Sequence, residues 1–210
     1  MIVINLKNYK IGKEVLELVR TIDIYCNKAI VAVPLIEMKN IIKETSVPVY
    51  AQHVDYYDKG KSTGYIIPEA LIEAKASGSI LNHAEHRMIF ANLKKTVEKC
   101  REVRLKLIVC AASLTEVKKI IKLNPYAIAY EDPKLIASGK SITEERSNEL
   151  KEFVKLLDGT DIIPLCGAGI TSGKDVAQAM ILGCKGVLVS SIVANSQNPE
   201  KFLKEVAGII

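Results

Sequence analysis

The sequence has few aromatic residues, no tryptophan and no long apolar run. Aromatic residues make up 5% of the 210 positions, whereas hydrophobic residues of all kinds make up 49%. A core must therefore be built from Ile, Val, Leu and Ala, the mixture typical of parallel strands covered by helices. Because no apolar run approaches the roughly 18 residues that span a bilayer, we expect neither a membrane protein nor a membrane partner.

Strong charge imbalance and closely spaced cysteines are missing as well. The 29 Lys and Arg residues against 24 Asp and Glu residues give a net charge of +5. Since the two signs are interleaved along the chain, we expect a solvated surface and no nucleic-acid partner. The 5 cysteines include no C-x-x-C pair, and no basic segment followed by an apolar stretch opens the chain. These features predict reduced thiols and a cytoplasmic location.

Short apolar, β-branched runs alternate with stretches of helical spacing along the whole chain. The eight runs are Ile2–Leu6, Ala29–Val33, Val47–Gln52, Ser79–Asn82, Leu105–Cys110, Tyr126–Glu131, Asp161–Leu165 and Gly186–Ser190. This alternation predicts a parallel sheet covered by helices. A β/α unit takes about 25 residues, so eight units fill about 200, whereas a doubly wound sheet of about six strands would leave runs unused. We therefore expect the α/β class, with a single (β/α)8 barrel occupying residues 1–210 as one domain.

In such a barrel, functional side chains stand at the carboxyl ends of the strands. Asn5 and Lys7 lie two apart at the end of the first strand and so share one face. A cation there suits an anionic substrate or a developing oxyanion, and an exposed loop charge is the simpler interpretation. The fourth strand runs into a segment dense in ionisable groups. Three interpretations of it stay open: a structural histidine, a metal site of His83, Glu85 and His86, or His83 as an acid, base or electrophile.

The sixth, seventh and eighth strands also end in polar or small residues. Glu131 ends an apolar strand, where a carboxylate is unfavourable unless it has a function or a salt-bridge partner. The segment after it, residues 132–140, has Pro133 near its start and Ser138-Gly139 near its end, which predicts a flap. Gly169, Ser190 and Ser191 follow the last two strands, where small residues let backbone N–H groups approach a phosphate.

In order along the chain, these segments resemble the triosephosphate isomerase family, and more closely its short archaeal branch. The motifs that carry the resemblance are Asn5-x-Lys7, Ala51-Gln52-His53, Thr63-Gly64, Asn82-His83-x-Glu85, Ala129-Tyr130-Glu131, Cys166-Gly167-Ala168-Gly169 and Ser190-Ser191. The resemblance implies a TIM barrel that interconverts dihydroxyacetone phosphate and D-glyceraldehyde 3-phosphate through an enediolate, in glycolysis and gluconeogenesis. The family uses a glutamate base and a neutral histidine electrophile. By this likeness, Glu131 is the general base, His83 the electrophile and Lys7 the cation beside it.

The same resemblance implies the rest of the site and its partners. Asn5 contacts the substrate and Glu85 organises Lys7. The phosphate is bound by Ile136 of the flap together with Gly169, Ser190 and Ser191. The ligand is a small phosphorylated triose, and the chemistry needs no metal ion and no organic cofactor. Assembly as a homodimer or homotetramer is also implied, and the large Tyr56 and Tyr57 after the third strand are candidates for the contact.

Three residues depart from the family's pattern. Ala84 stands where serine is common, Asp132 where proline is usual and Ala137 where glycine is usual. We therefore expect activity with altered flap behaviour. Two alternatives stay open. The first is another phosphosugar isomerase or epimerase barrel, because phosphate-binding loops do not distinguish one sugar skeleton from another. The second is a barrel that binds a phosphorylated metabolite without catalysis.

Overall fold

The protein forms a closed parallel β-barrel surrounded by helices. A computed structural model describes residues 1–135 and 141–209. The strands are β1 Ile2–Asn5, β2 Ile30–Val33, β3 Val49–Ala51, β4 Gly78–Leu81, β5 Lys106–Ala111, β6 Ala127–Tyr130, β7 Ile163–Gly167 and β8 Gly186–Val189. They are hydrogen-bonded in chain order, and β8 pairs with β1 to close the barrel. The predicted (β/α)8 barrel is confirmed, and each predicted strand end lies within two residues of the observed one.

Helices follow every strand. They are α1 Lys13–Tyr25, α2 Leu35–Glu44, α3 Pro68–Glu73, α4 Phe90–Glu102, α5 Leu114–Ile120, α6 Ile142–Glu145, α7 Ser147–Leu156, α8 Gly173–Ile181, α9 Ser191–Ala194 and α10 Pro199–Ala207. A 3-10 turn, Ile121–Leu123, extends α5. Among the residues that the structure describes, no helix is long and apolar enough to cross a membrane.

The core has two layers, because successive strand residues face opposite sides of the barrel wall. The inner layer fills the barrel with Val3, Ile30, Ala32, Tyr50, Ile80, Ile108, Cys110, Ala127, Ala129, Leu165 and Leu188. The outer layer lies between strands and helices and includes the buried stripe of α1: Val15, Leu18, Val19 and Ile22. Both faces of the strands are thus apolar, which explains their near-continuous hydrophobic runs.

The helices after β6 and β7 begin at side-chain caps. In the sequence, Thr171-Ser172 predicts a helix start and Gly183 its end. Ser172 caps α8, and Gly183, with a positive φ of 98°, follows the end of this helix. Thr143-Glu144-Glu145, with acidic residues in a first turn, predicts one helix that opens there, but the structure divides it into two. Ser141 caps the four-residue α6, and Arg146, with φ −134°, separates it from α7.

All five cysteines are buried and free: Cys26, Cys100, Cys110, Cys166 and Cys184. Burial raises the pKa of the Cys100 thiol to about 12. The thiols are therefore small apolar side chains of the core, in line with the predicted reduced state.

Candidate active site

A cavity of about 370 Å³ opens at the carboxyl ends of the strands. Its lining comes from the loops after β1, β4, β6, β7 and β8: Asn5, Lys7, Tyr9, His83, Glu131, Ala168, Gly169, Ile170, Thr171, Leu188, Val189, Ser190, Ser191 and Asn195. This face of a (β/α)8 barrel is the one that carries active sites.

The end of β1 supplies a polar residue and a cation. Lys7 has a left-handed backbone with φ 46°, and its N–H donates to Oδ1 of the buried Asn5 at 3.0 Å. Gln52 at the end of β3 donates from Nε2 to the carbonyl of Lys7 at 2.9 Å. Lys7 Nζ donates to Glu85 Oε1 at 2.6 Å, so a carboxylate from the loop after β4 holds the ammonium at the edge of the cavity.

The end of β4 turns sharply at Asn82, which has φ 59°. Asparagine tolerates this left-handed conformation better than other non-glycine residues. Its Nδ2 donates to the Cys110 carbonyl at 2.9 Å, and its Oδ1 accepts from the Met88 N–H at 3.0 Å. Glu116 also accepts from Nδ2 and forms an ion pair with Arg87. These contacts fix the backbone that carries His83.

His83 is buried, and its hydrogen bonding assigns its tautomer. The N–H of Glu85 donates to Nδ1 of His83 at 3.2 Å. A ring nitrogen that accepts a hydrogen bond carries no proton, so the assigned proton lies on Nε2. Nε2 lies 3.9 Å from Glu131 Oε2, which is longer than a hydrogen bond. Both groups therefore retain hydrogen-bonding capacity for a ligand at this point.

Glu131 follows β6 as a buried carboxylate. Its backbone N–H donates to the Ala111 carbonyl of β5 at 2.9 Å, which continues the barrel ladder by one residue. Burial, together with the Glu131 carboxylate that its thiol contacts, raises the pKa of Cys110 well above its usual range. Within the described residues, Oε2 of Glu131 is buried without a hydrogen-bond partner. A buried orphan oxygen is unfavourable in a merely structural glutamate.

The turns after β7 and β8 form the opposite wall. Ala168 and Gly169 both have positive φ, 75° and 68°, so the chain folds back with its backbone against the cavity. The first N–H groups of α9, which starts at Ser191, have no partners within that helix. Ser190 Oγ is buried and has no hydrogen-bond partner among the described residues. Such a wall offers backbone and hydroxyl donors to an anion.

The structure brings most of the predicted site residues into this one cavity. Asn5, Lys7, His83, Glu131, Gly169, Ser190 and Ser191 line it, and Glu85 contacts it through Lys7. Ile136, together with the flap residues Ala137 and Ser138, lies outside the described residues.

Tyr9, Thr171 and Asn195 also line the cavity and were not singled out from the sequence. Tyr9 shares the spacing of Asn5 and Lys7, which is the one signal that could have found it. No comparable signal marks Thr171 or Asn195, since both lie in loops without a repeating pattern.

The metal interpretation of the β4 end finds no support in the geometry. His86 stacks on His53, with ring centroids 4.0 Å apart, and does not converge with His83 and Glu85 on one point. Across residues 1–135 and 141–209, no group of three or more His, Cys, Asp or Glu side chains is arranged to hold a metal ion.

Comparison with known proteins gives one family. A sequence model of triosephosphate isomerase matches residues 1–207. The triosephosphate isomerase of Methanocaldococcus jannaschii is 32% identical over the full length of both chains, and that of Archaeoglobus fulgidus is 34% identical over 100% of this chain and 98% of its own. The enzyme of Cenarchaeum symbiosum is 40% identical over 79% of this chain and 75% of its own. From the barrel, the cavity and these similarities together, the chain belongs to the triosephosphate isomerase family of isomerases.

Proposed function

We propose that the cavity interconverts dihydroxyacetone phosphate and D-glyceraldehyde 3-phosphate, with Glu131 as the base and His83 as the electrophile. The observation that carries the proposal is a pair of groups beside the Lys7 ammonium. The buried Oε2 of Glu131 has no hydrogen-bond partner among the described residues, and the imidazole Nε2 of His83 lies 3.9 Å from it. Glycolysis and gluconeogenesis are the processes to which this reaction belongs.

The reaction begins with proton removal from the carbon next to the carbonyl. Glu131 takes this proton, and the electron pair moves onto the carbonyl oxygen to form an enediolate. Nε2–H of His83 donates to that oxygen, and Lys7 stabilises the developing negative charge. Glu131 then returns the proton to the neighbouring carbon, while a proton moves between the two oxygens, so aldehyde and ketone exchange places without net change in atoms or electrons.

The phosphate is bound on the opposite wall. Backbone N–H groups near Gly169, Ser190 and Ser191 face the anion, and the buried Ser190 hydroxyl supplies a further donor. Asn5 contacts the substrate, and Glu85 holds Lys7 at 2.6 Å. On the family resemblance alone, Ile136 is proposed as a further phosphate contact.

A coupled assay with glyceraldehyde 3-phosphate tests the assignment. We expect Glu131→Gln to lower kcat by about 10²- to 10⁴-fold, since a positioned base supplies that much. The matched control is Glu73→Gln, an exposed carboxylate on α3, which should leave kcat unchanged. Circular dichroism should show the same fold for both variants. Full activity of Glu131→Gln, or turnover of a pentose phosphate in place of the triose, would overturn the proposal.

We further propose assembly as a homodimer or homotetramer. Large apolar side chains stay exposed in the loops after β1 and β4 and in the first turn of α2: Ile11 at 73%, Ile89 at 68% and Ile36 at 87%. Ile11 and Ile36 follow β1 and β2, which are paired neighbours in the barrel. The tyrosines after β3 stack on one another, with Tyr57 and Tyr65 ring centroids 3.9 Å apart. Sedimentation velocity at micromolar concentration should give a dimer or tetramer, and an active monomer would contradict this.

Residues 1–210 are proposed to act as one catalytic domain in the cytoplasm. The pairing of β1 with β8 makes the two ends of the chain part of one barrel, and five free thiols suit a reducing compartment. Calorimetry should give one unfolding transition for the assembly, and cell fractionation should recover the protein with cytoplasmic markers. Two separated transitions, or recovery elsewhere, would contradict the respective part.

A further inference from the structure

The two residues that flank Glu131 in the sequence are bound to the start of helix α7 and to Arg146, the residue that precedes it. Tyr130 donates from its hydroxyl to Glu149 Oε2 at 2.8 Å, and Arg146 donates from Nε to Asp132 Oδ2 at 3.2 Å. Arg146 Nη1 lies 3.5 Å from Glu149 Oε1, which joins the two contacts. We call this chain of four residues, Tyr130, Glu149, Arg146 and Asp132, the α7 clamp.

Asp132 also shapes the segment that leaves β6. Its Oδ1 accepts the Lys134 N–H at 2.9 Å, and its carbonyl accepts the Leu135 N–H at 2.9 Å. The side chain is only 15% exposed, so its orientation is well defined. Proline, usual in the family here, would fix φ covalently. In this chain, an aspartate held by Arg146 fixes the same turn through hydrogen bonds.

Tyr130 is bound to α7 by packing as well as by its hydroxyl. The ring is buried and stacks on Phe153 with centroids 5.3 Å apart. Burial and the hydrogen bond to Glu149 raise the pKa of Tyr130 above its ordinary value, so the hydroxyl keeps its proton and remains a donor. Glu131 itself is fixed through its backbone, whereas its Oε2 finds no hydrogen-bond partner among the described residues. The direction of this carboxylate therefore depends on how firmly residues 130 and 132 are held, as well as on its contacts with the Cys110 thiol and Gly167.

We propose that the α7 clamp is a positioning device for the base: Arg146, through Asp132 and Glu149, holds the backbone on both sides of Glu131 and so aims its carboxylate at the substrate. The inference rests on the proposed function, in which Glu131 removes the proton. Arg146 and Glu149 are each 41% exposed, so the ion pair contributes little to global stability, and its effect falls on the geometry of catalysis.

A double-mutant cycle tests the clamp in the intact chain. Arg146→Met removes the cation, and Asp132→Asn keeps the acceptor for the Lys134 N–H while removing the charge. We expect each variant to lower kcat by about three- to tenfold with KM changed by less than about twofold. The double variant should resemble the slower single variant, because both break one chain of contacts. Arg146→Lys should restore part of kcat.

The matched control breaks a remote, equally exposed ion pair. Arg20 donates to Glu44 at 2.7 Å between α1 and α2, and Arg20→Met should leave kcat unchanged. Wild-type kcat in Arg146→Met and Asp132→Asn, additive losses in the double variant, or losses that follow a fall in Tm would each overturn the clamp. Activity of Glu131→Gln would overturn the proposed function instead. An inactive Glu131→Gln beside a fully active Arg146→Met would overturn the clamp alone.

Discussion

Gly167 lies so close to Glu131 that a side chain at this position cannot be accommodated without movement. A Cβ on Gly167 would stand 2.6 Å from Cγ of Glu131 and 2.8 Å from its Oε1. The nearest atoms belong to a flexible side chain and not to backbone, so the carboxylate would give way. The residue thus sets the space in which the proposed base lies.

Gly167→Ala should therefore damage turnover more than stability. A misplacement of about 1 Å in a catalytic group lowers the rate by roughly 10²-fold, and we expect a fall in kcat of about 10- to 100-fold. Urea unfolding should give a free energy within about 1.5 kcal/mol of the parent. Gly208→Ala, where no described atom lies within 4 Å of the added methyl group, is the control. Unchanged kcat in Gly167→Ala would refute this account of the contact.

At the scale of single residues, the polar residues at the strand ends made much of the site predictable from the sequence. Asn5, Lys7, His83 and Glu131 are polar residues at the ends of apolar runs, and they meet because parallel strands end on one face. The left-handed turn at Asn82 was not predictable, since its partners Cys110 and Met88 are distant or unremarkable in the sequence. Contacts across loops depend on tertiary placement that no local pattern encodes.

The loop between β7 and α8 is organised by one carboxylate. Oδ2 of Asp175 accepts the N–H groups of Thr171 and Ser172, both at 2.9 Å, and both hydroxyls. Ser172 Oγ in turn accepts the Asp175 N–H, which completes a capping box. Burial opposes ionisation of Asp175, but these hydrogen bonds and one from Ser141 outweigh it and lower the pKa. The cap thereby holds the turn that carries Gly169.

Asp175→Asn should destabilise the protein in a pH-dependent way. The folded pKa lies below the unfolded value of about 3.9, so the stabilisation is present above that pH and is lost as pH falls through the folded pKa. We expect a loss of about 1–3 kcal/mol at neutral pH and a shrinking difference below about pH 4. Urea unfolding of both proteins across this range measures it, with the exposed Asp158→Asn as control. A difference that stays constant with pH would contradict the role of ionised Asp175.

Helices were less predictable than strands. The apolar spacing of Leu71, Ile72 and Ala76 suggests one helical stripe, but α3 ends at Glu73. Lys75 adopts a left-handed conformation with φ 64°, and Ile72 is exposed. Short helices bury few residues, so their ends are decided by the strand that follows and not by their own periodicity.

At the scale of the whole molecule, the number of strands was the decisive prediction. Eight units of minimal length fit the chain, and the closed barrel follows from that count. The register was not predictable, because near-continuous apolar strands do not distinguish inward from outward faces. Tyr50 shows what decides the register. A Cβ on Gly78 would collide with the Tyr50 ring, so a glycine on the next strand makes room for this buried aromatic ring of the inner layer.

The five buried thiols make it possible to measure local opening of the native protein by its reaction with a thiol reagent. They are distributed over the barrel wall and its surroundings, on α4, β5 and β7 and in the segments before β2 and β8. A thiol reagent reacts with thiolate, and burial both blocks access and suppresses ionisation. We expect alkylation at least about 10²-fold slower in the folded protein than in urea, at rates that report local release of each element. Mass spectrometry of labelled peptides would give the labelling rate of each native cysteine and so the order in which the elements open. Equal, immediate labelling of all five would contradict the closed barrel.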